Sequence, residues 1–353
     1  MSQFLILKPS SLGDVLHAFP AVSALLRARP GSVADWLIAP PFAELTAFLP
    51  GVRRNVLFER RKLGRLSSFS ASFRELLHSI RSAGPYDAVI DLQGLTRSAF
   101  IGRCASSGVH AGPRHPREIW ARLAYSRTVP LPEGVHAVQR NNALIAGFLG
   151  RNDLDFSFHP PVVERFARPV RELLSETVPA GTSRLVAVAP GARWETKQWP
   201  PEFFARVMRS FADAHPGVHF LLAGSPGEIP LAERILQADP GLSCSNLCGR
   251  TSVGELVELI RNVSLLFCND SGPMHIAAML SVPVVAFFGP TSPRLTGPYS
   301  QKSAVLQPSL PCIFCLKRYC THCRCHAAVD ADDAASRAEA LLSGNDRTTG
   351  TGL

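Results

Sequence analysis

The chain has 353 residues, 46% of them hydrophobic and 18% charged, which suits two globular domains and excludes a disordered chain or a small disulfide scaffold. Its 37 Lys and Arg against 28 Asp and Glu leave a net charge of +9, so an acidic partner is expected: nucleic acid, an anionic membrane surface or a phosphorylated small molecule. No apolar run reaches the ~18 residues of a membrane span, and the start "MSQFLILKPSSLGD" lacks the regions of a signal peptide, so a cytoplasmic address is expected.

"FLILK" (4–8) predicts a first buried strand. In the following "PSSLGDVLHAF", Ser10, Ser11 and Gly13 form a small-residue loop and Asp14 opens a helix. A carboxylate there reads either as a helix cap or as a general base held at a strand–loop–helix junction. His17, one turn on, reads as a ring buried against its neighbours. "ADWLIAP" (34–40) predicts the next strand, and "RRNVLFERRKLGRL" then carries Arg53, Arg54, Arg60, Arg61, Lys62 and Arg65. "PRHPREIW" adds Arg114 and Arg117. Such a run is either a solvated face or, because guanidinium forks fit carboxylates and phosphates, a seat for an acidic ligand. Between them, "SFRELLHSIRSAG" has helical spacing and "YDAVIDLQ" (86–93) reads as a strand.

The pattern lapses between about Asn152 and Thr182, and a fresh series begins at Arg184. "RLVAVAP" (184–190), "VHFLLAG" (218–224), "LLFCND" (265–270) and "VPVVAFFG" (282–289) predict parallel strands, with helices "PEFFARVMRSFADAHPG" and "VGELVELIRN" between. Repeated strand–helix units predict the α/β class, with parallel sheets covered on both faces. The expected domains are residues 1–165 and 166–335, with 336–353 a helix end and polar tail. Ligands of open α/β sheets bind beyond the carboxyl ends of the strands. Two such domains facing each other would offer a cleft with a site on each lip.

In the second half, "CNDSGPMHIAAML" places Asp270, Ser271 and Gly272 on a strand-to-helix turn, with His275 one turn further. The turn is either an ordinary N-cap or a seat for an anion on free N–H groups and the helix dipole. Two further strand-end loops favour a ligand. "GARWETKQWPPEFF" carries Ala192, Arg193 and Lys197, a lysine able to meet a diphosphate as a point charge, and "SPGE" carries Glu228 for ribose hydroxyls. Together they suggest a nucleotide-diphosphate site, while the absence of a complete G-x-G-x-x-G or Walker A motif argues against NAD or ATP.

Five of the nine cysteines lie between Cys312 and Cys325. Cys312/Cys315 and Cys320/Cys323 have metal-ligand spacing, although the four residues between the pairs are few for a zinc ribbon. The stretch reads as a structural zinc or iron–sulfur site or as a loop of reduced thiols, and no catalytic role follows from it.

In order along the chain, "SSLGDVLHAFPAV", "YDAVIDLQGLTRSA", "REIWARLAYSR", "HAVQRN", "PGARWETKQWP" and "NDSGPMHIAA…VPVVAFFGPTSP" resemble the lipopolysaccharide heptosyltransferases, family 9 glycosyltransferases. The first half is most similar to the heptosyltransferase I branch and "NDSGPMHIAA" to the heptosyltransferase II branch. The resemblance implies the GT-B fold, two Rossmann-like domains facing a cleft, with a last helix returning to the first domain; "DADDAASRAEALL" is the candidate. It implies inverting transfer of heptose from ADP-heptose to a Kdo hydroxyl of Kdo-lipid A, with no catalytic metal or cofactor. Asp14 would be the base and Lys197 would steady the departing diphosphate. Ala192, Glu228, Asp270, Ser271, Gly272 and His275 would join Lys197 on the donor. Ser11, Gly13, Arg60, Arg61, Lys62 and Arg117 would meet the acceptor. The implied protein is a monomer, peripheral on the cytoplasmic face of the inner membrane, with no nucleic-acid partner. The alternatives are another family 9 transferase, acting as heptosyltransferase II or on a different sugar, a GT-B-fold epimerase, or a basic nucleic-acid-binding protein with a metal knuckle.

Overall fold

Among the residues that the computed structural model describes, 2–60, 62 and 66–344, twelve strands form two separate six-stranded sheets. The chain divides into two units, Met1–Pro161 and Val162–Leu353. The first unit holds β1 (Gln3–Leu7), β2 (Val33–Ile38), β3 (Val52–Leu57), β4 (Tyr86–Asp91), β5 (Ser107–Pro113) and β6 (Arg127–Val129) in the order β3-β2-β1-β4-β5-β6. The second holds β7 (Arg184–Ala189), β8 (Val218–Leu222), β9 (Cys244–Asn246), β10 (Leu265–Asn269), β11 (Val284–Phe287) and β12 (Ser303–Leu306) in the order β12-β11-β10-β7-β8-β9. Every pairing is parallel. Helices on both faces keep the central strands dry, which is why β8 and β10 are buried at every position.

Each sheet starts in its middle, runs to one edge, then returns to the strand beside its start and runs to the other. This is the doubly wound Rossmann order, and the order reverses between β1 and β4 and between β7 and β10. The seven apolar runs read as strands all form strands: β1, β2, β4, β7, β8, β10 and β11. In the second unit a ring-rich core lies on the sheet, with Trp199 against Phe203 at 4.3 Å and against Phe287 at 4.8 Å between ring centroids.

Two expectations change here. Arg53 and Arg54, read as part of an anion-binding run, close on the buried Asp35 of β2. Arg53 binds both carboxylate oxygens at 3.0 and 2.9 Å, Arg54 binds one at 2.9 Å, and the Tyr86 hydroxyl donates at 2.8 Å. Burial opposes the Asp35 charge, but these bonds outweigh it and hold the carboxyl below its usual range. Burial also pushes the Tyr86 phenol up to about 12. The two arginines therefore tie β2, β3 and β4 together, with their guanidinium forks already engaged by Asp35.

The resemblance implies a last helix returning to the first domain; among the described residues the last helix, Ala331–Ser343, packs within the second unit. Its Ala331, Ala334, Ala335, Ala338 and Leu341 join the core of the second unit, against the helix Pro201–Ala214. Small side chains at helical spacing let the two helix backbones approach closely. Enlarging Ala338 to Leu should overpack that seam and cost about 1–3 kcal/mol, read as a lower Tm. The same change at exposed Ser336 should leave Tm in place. Equal Tm values for the two variants would contradict the packing described.

Candidate active site

In the first unit the chemistry gathers where β1 and β4 part. Lys8 follows β1 into the interior, its side chain 7% exposed. Its Nζ donates to the carbonyl of Leu92, just after β4, at 2.7 Å and stands 3.8 Å from Asp14 Oδ1. Asp14 is the third residue of the helix Leu12–Leu16, which Ser11 caps. Its Oδ2 accepts from the Ser11 backbone N–H at 3.0 Å and the Ser11 hydroxyl at 3.1 Å. Asp14 is thus not the cap residue itself; one oxygen closes a capping box and the other faces Lys8. Its side chain is 32% exposed. Burial disfavours its charge, yet Lys8, the Ser11 amide and Arg117 prevail and hold the carboxyl below its ordinary value.

Burial lowers the pKa of Lys8, opposed by Asp14 and Asp91. Asp91 is wholly enclosed, accepting from the amides of Gln93 and Gly94 at 2.8 and 3.0 Å and from the Tyr125 hydroxyl at 2.9 Å. Burial raises its pKa. Gly13 is buried beside Asp14, Ser11 is exposed, and the exposed Arg117 is near enough to act on both Lys8 and Asp14. Arg60 and Lys62 are exposed after β3, Lys62 paired with Glu59; Arg61 lies outside the described residues. His17 is buried with its ring 5.0 Å from that of His136.

In the second unit the corresponding point is where β7 and β10 part. Lys197, on the short turn Glu195–Lys197 after β7, puts Nζ 2.5 Å from Asp270 Oδ2 and 4.7 Å over the Trp194 ring. Thr291 Oγ1 donates to the same Asp270 oxygen at 2.5 Å. Ser271 caps the helix Gly272–Leu280 by backbone conformation only; its Oγ is buried and has no hydrogen-bond partner among the described residues. A hydroxyl and free amides at a helix N-terminus, beside a lysine, form an anion seat. His275, one turn along, is half-buried. Asn269, at the end of β10, binds the Pro190 carbonyl at 2.6 Å and so joins the two strand ends.

Glu228 reaches over the same loops. An added Cβ at Gly191 would fall 1.5 Å from its Oε1, and one at Gly224 would fall 2.7 Å from its Oε2. Both glycines therefore clear the space for this carboxylate. The Ala192 carbonyl accepts from the Gln198 side chain at 2.7 Å, which shapes the loop between them. Of the residues read from sequence, the structure gathers Asp14, Ser11, Gly13 and Arg117 in the first unit. It gathers Lys197, Asp270, Ser271, Gly272 and Glu228 in the second. Lys8, Asp91 and Thr291 were missed, and the only signal was a lone lysine directly after the first strand.

The Cys-rich segment serves the Lys197 turn. His326 Nε2 lies 3.0 Å from the Thr196 carbonyl, and Thr196 Oγ1 donates to the Lys317 carbonyl at 2.6 Å. Among the described residues no group of three or more His, Cys, Asp or Glu is placed to hold a metal ion. A structural metal at Cys312, Cys315, Cys320 and Cys323 is therefore not supported.

A family model described as glycosyltransferase family 9 (heptosyltransferase) matches residues 73–326. The chain belongs to glycosyltransferase family 9. It is 32% identical over 330 residues to lipopolysaccharide heptosyltransferase 1 of Pseudomonas aeruginosa, covering 90% of this chain and 87% of that one. The solved E. coli heptosyltransferase WaaC with ADP aligns at a TM-score of 0.78 and 24% identity, over 96% of this chain and 99% of its own. WaaC with ADP-2-deoxy-2-fluoro heptose aligns at 0.71 and 27% identity, over 87% and 93%. The fold of this family 9 transferase is thus GT-B.

Lys8 offers a test of the first-unit geometry. Replacing it with Met removes a charge that favours the Asp14 carboxylate, so the Asp14 pKa should rise, whereas Lys8→Arg should hold it down. An NMR titration of the Asp14 carboxyl carbon reads this directly. An unmoved pKa in Lys8→Met would reduce Lys8 to a packing residue.

Proposed function

We propose that this family 9 enzyme is an inverting heptosyltransferase, moving heptose from ADP-heptose to a Kdo hydroxyl of Kdo-lipid A in the lipopolysaccharide inner core. The observation that carries the reading is the pairing of chemistries at the two strand-order reversals. One holds a carboxylate kept ionised, Asp14; the other holds a lysine, Lys197, and the helix N-terminus with the unpartnered Ser271 hydroxyl. Relatives named for heptose transfer, and a solved relative holding an ADP-heptose analogue, support it. They do not favour the alternatives: a family 9 transferase acting as heptosyltransferase II, whose relatives match at lower identity, or on a different sugar, an epimerase, or a nucleic-acid-binding protein.

Asp14 takes the proton of the acceptor hydroxyl through the oxygen that faces Lys8. The oxygen so activated attacks the anomeric carbon from the side opposite the diphosphate, which inverts that centre. The bond from that carbon to the diphosphate oxygen breaks, and the charge passes to the departing ADP. Lys197, the amides opening at Gly272 and the Ser271 hydroxyl receive that charge, preorganised for it. No step calls on a metal or another cofactor. Lys197 must exchange Asp270 for the diphosphate, and Thr291 keeps Asp270 in place when it does.

Glu228 takes the ribose hydroxyls, and Ala192 and His275 complete the donor seat. Ser11, Gly13, Arg60, Arg61, Lys62 and Arg117 meet the acidic acceptor, the donor falling to residues 166–335 and the acceptor to 1–165. Among the described residues no helix is long and apolar enough to cross a membrane. In this reading the protein is a monomer that works peripherally at the cytoplasmic face of the inner membrane, without nucleic acid.

The test is ADP release from ADP-heptose in the presence of Kdo-lipid A. Asp14→Asn should lower kcat by about 10²–10⁴-fold while ADP-heptose still binds. Lys197→Ala should lower kcat by about 10²–10³-fold and weaken ADP binding as well. An intact protein that neither binds ADP-heptose nor releases ADP would overturn the donor assignment.

A further inference from the structure

The short 3₁₀ helix Ile119–Ala124 reverses the usual rule of burial. Its alanines turn inward: Ala121 and Ala124 are 0% and 1% exposed and pack with Ala99 and Tyr125. Its large apolar side chains turn outward, with Ile119, Trp120 and Leu123 at 64%, 66% and 64% exposed. Single exposed apolar residues are ordinary, but three on one short helix, a tryptophan among them, mark an interaction surface.

The backbone holds this arrangement in place. Glu118 N–H donates to the Gly94 carbonyl at 3.1 Å, the Glu118 carboxylate accepts from the Thr96 N–H at 2.8 Å, and Tyr125 is bonded to buried Asp91. The stretch of chain that carries the helix is strongly basic. Between Arg97 and Arg127 the sequence has six arginines and a single carboxylate, Glu118, which is already engaged.

We infer that this face docks on an anionic phospholipid bilayer. Ile119, Trp120 and Leu123 enter the boundary between headgroups and acyl chains, and neighbouring arginines such as Arg122 meet the lipid phosphates. An apolar face framed by basic residues, with Trp at its centre, has the composition of a surface-bound membrane element. A second copy of this chain is a poor occupant, because a two-fold contact would set the same arginines against each other. The placement also serves the reaction. Arg117, whose charge reaches Asp14, lies two residues before Ile119. A lipid-anchored acceptor can then meet the base without leaving the bilayer.

The inference rests on the peripheral-membrane part of the proposed function and is independent of the transfer chemistry. The test floats the full chain with vesicles of phosphatidylethanolamine and phosphatidylglycerol, beside vesicles of phosphatidylcholine. The native protein should float with the anionic vesicles and release as salt rises. A variant carrying Ile119→Ser, Trp120→Ser and Leu123→Ser should lose about tenfold or more in vesicle affinity. It should keep its Tm and its turnover of a water-soluble, deacylated Kdo acceptor.

A control carrying Phe314→Ser, Leu316→Ser and Tyr319→Ser removes another exposed apolar set and should float like the native chain. In Trp120→Phe, brominated lipids should quench less of the tryptophan fluorescence than in the native chain. Unchanged flotation of the first variant, or a loss of flotation in the control alone, would overturn the assignment. So would a native dimer, seen by sedimentation, that the first variant dissociates. A native chain that ignores anionic vesicles also overturns it, while turnover of the soluble acceptor still tests heptose transfer by itself.

Discussion

A parallel sheet that grows to both sides of its first strand must send its connections over opposite faces, and where the order reverses the two strand-end loops diverge. Both units are built on this constraint, and both close the reversal with one side chain that bonds the backbone of the neighbouring strand end. In the first unit Lys8, after β1, binds the Leu92 carbonyl after β4. In the second, Asn269 at the end of β10 binds the Pro190 carbonyl after β7. These ties fix the loops that carry Asp14 in the first unit and Lys197, Asp270 and Ser271 in the second. Groups on such junctions are held more firmly than groups on free loops.

The choice of tie gives the two units different electrostatic characters. Asn269 is neutral and leaves the charge at its site to Lys197 and Asp270, which meet each other directly. Lys8 brings a buried charge, enclosed between the Leu92 carbonyl and Asp14, that cannot turn to solvent. A buried ammonium is costly unless carboxylates stand near. Asp14 and Asp91 both act to keep it charged. The interaction is mutual, since Lys8 is the leading influence that keeps Asp14 ionised despite burial. A carboxylate kept ionised in this way carries no proton of its own, as the role proposed for Asp14 requires.

The central strands were legible because parallel strands covered on both faces are written as unbroken apolar runs, as in β7 and β10. The strands that carried no such signal are β3, with Arg53, Arg54 and Asn55, β5, with Gly108, Gly112 and Pro113, and the short edge strands β6, β9 and β12. The loops of the candidate site were legible through small residues at strand ends. Their partners were not: Lys8 finds Leu92 84 positions away, and Asp270 finds Thr291 on another strand's loop. The arginine run misled because it gives no sign of a buried counter-charge. Asp35 sits inside an apolar strand motif and engages Arg53 and Arg54 in charge-assisted hydrogen bonds. The last helix was legible as a helix, but its sequence does not say which unit its alanines pack against.

The Cys-rich segment bears on the candidate site through the backbone of the Lys197 turn. Its strand-less path passes close behind the turn Glu195–Lys197, bonding both the carbonyl and the hydroxyl of Thr196 through His326 and Lys317. Gly289 is where the segment comes nearest: a Cβ there would stand 3.2 Å from both Cys325 Sγ and the Thr196 carbonyl. Lys197 is thus held from behind by this segment and in front by Asp270. Its backbone does not need Asp270 to stay in place, so in the proposed reaction the lysine side chain turns from a carboxylate to a diphosphate while its turn keeps its shape. An exchange confined to one flexible side chain costs less ordering than one that must rebuild a loop.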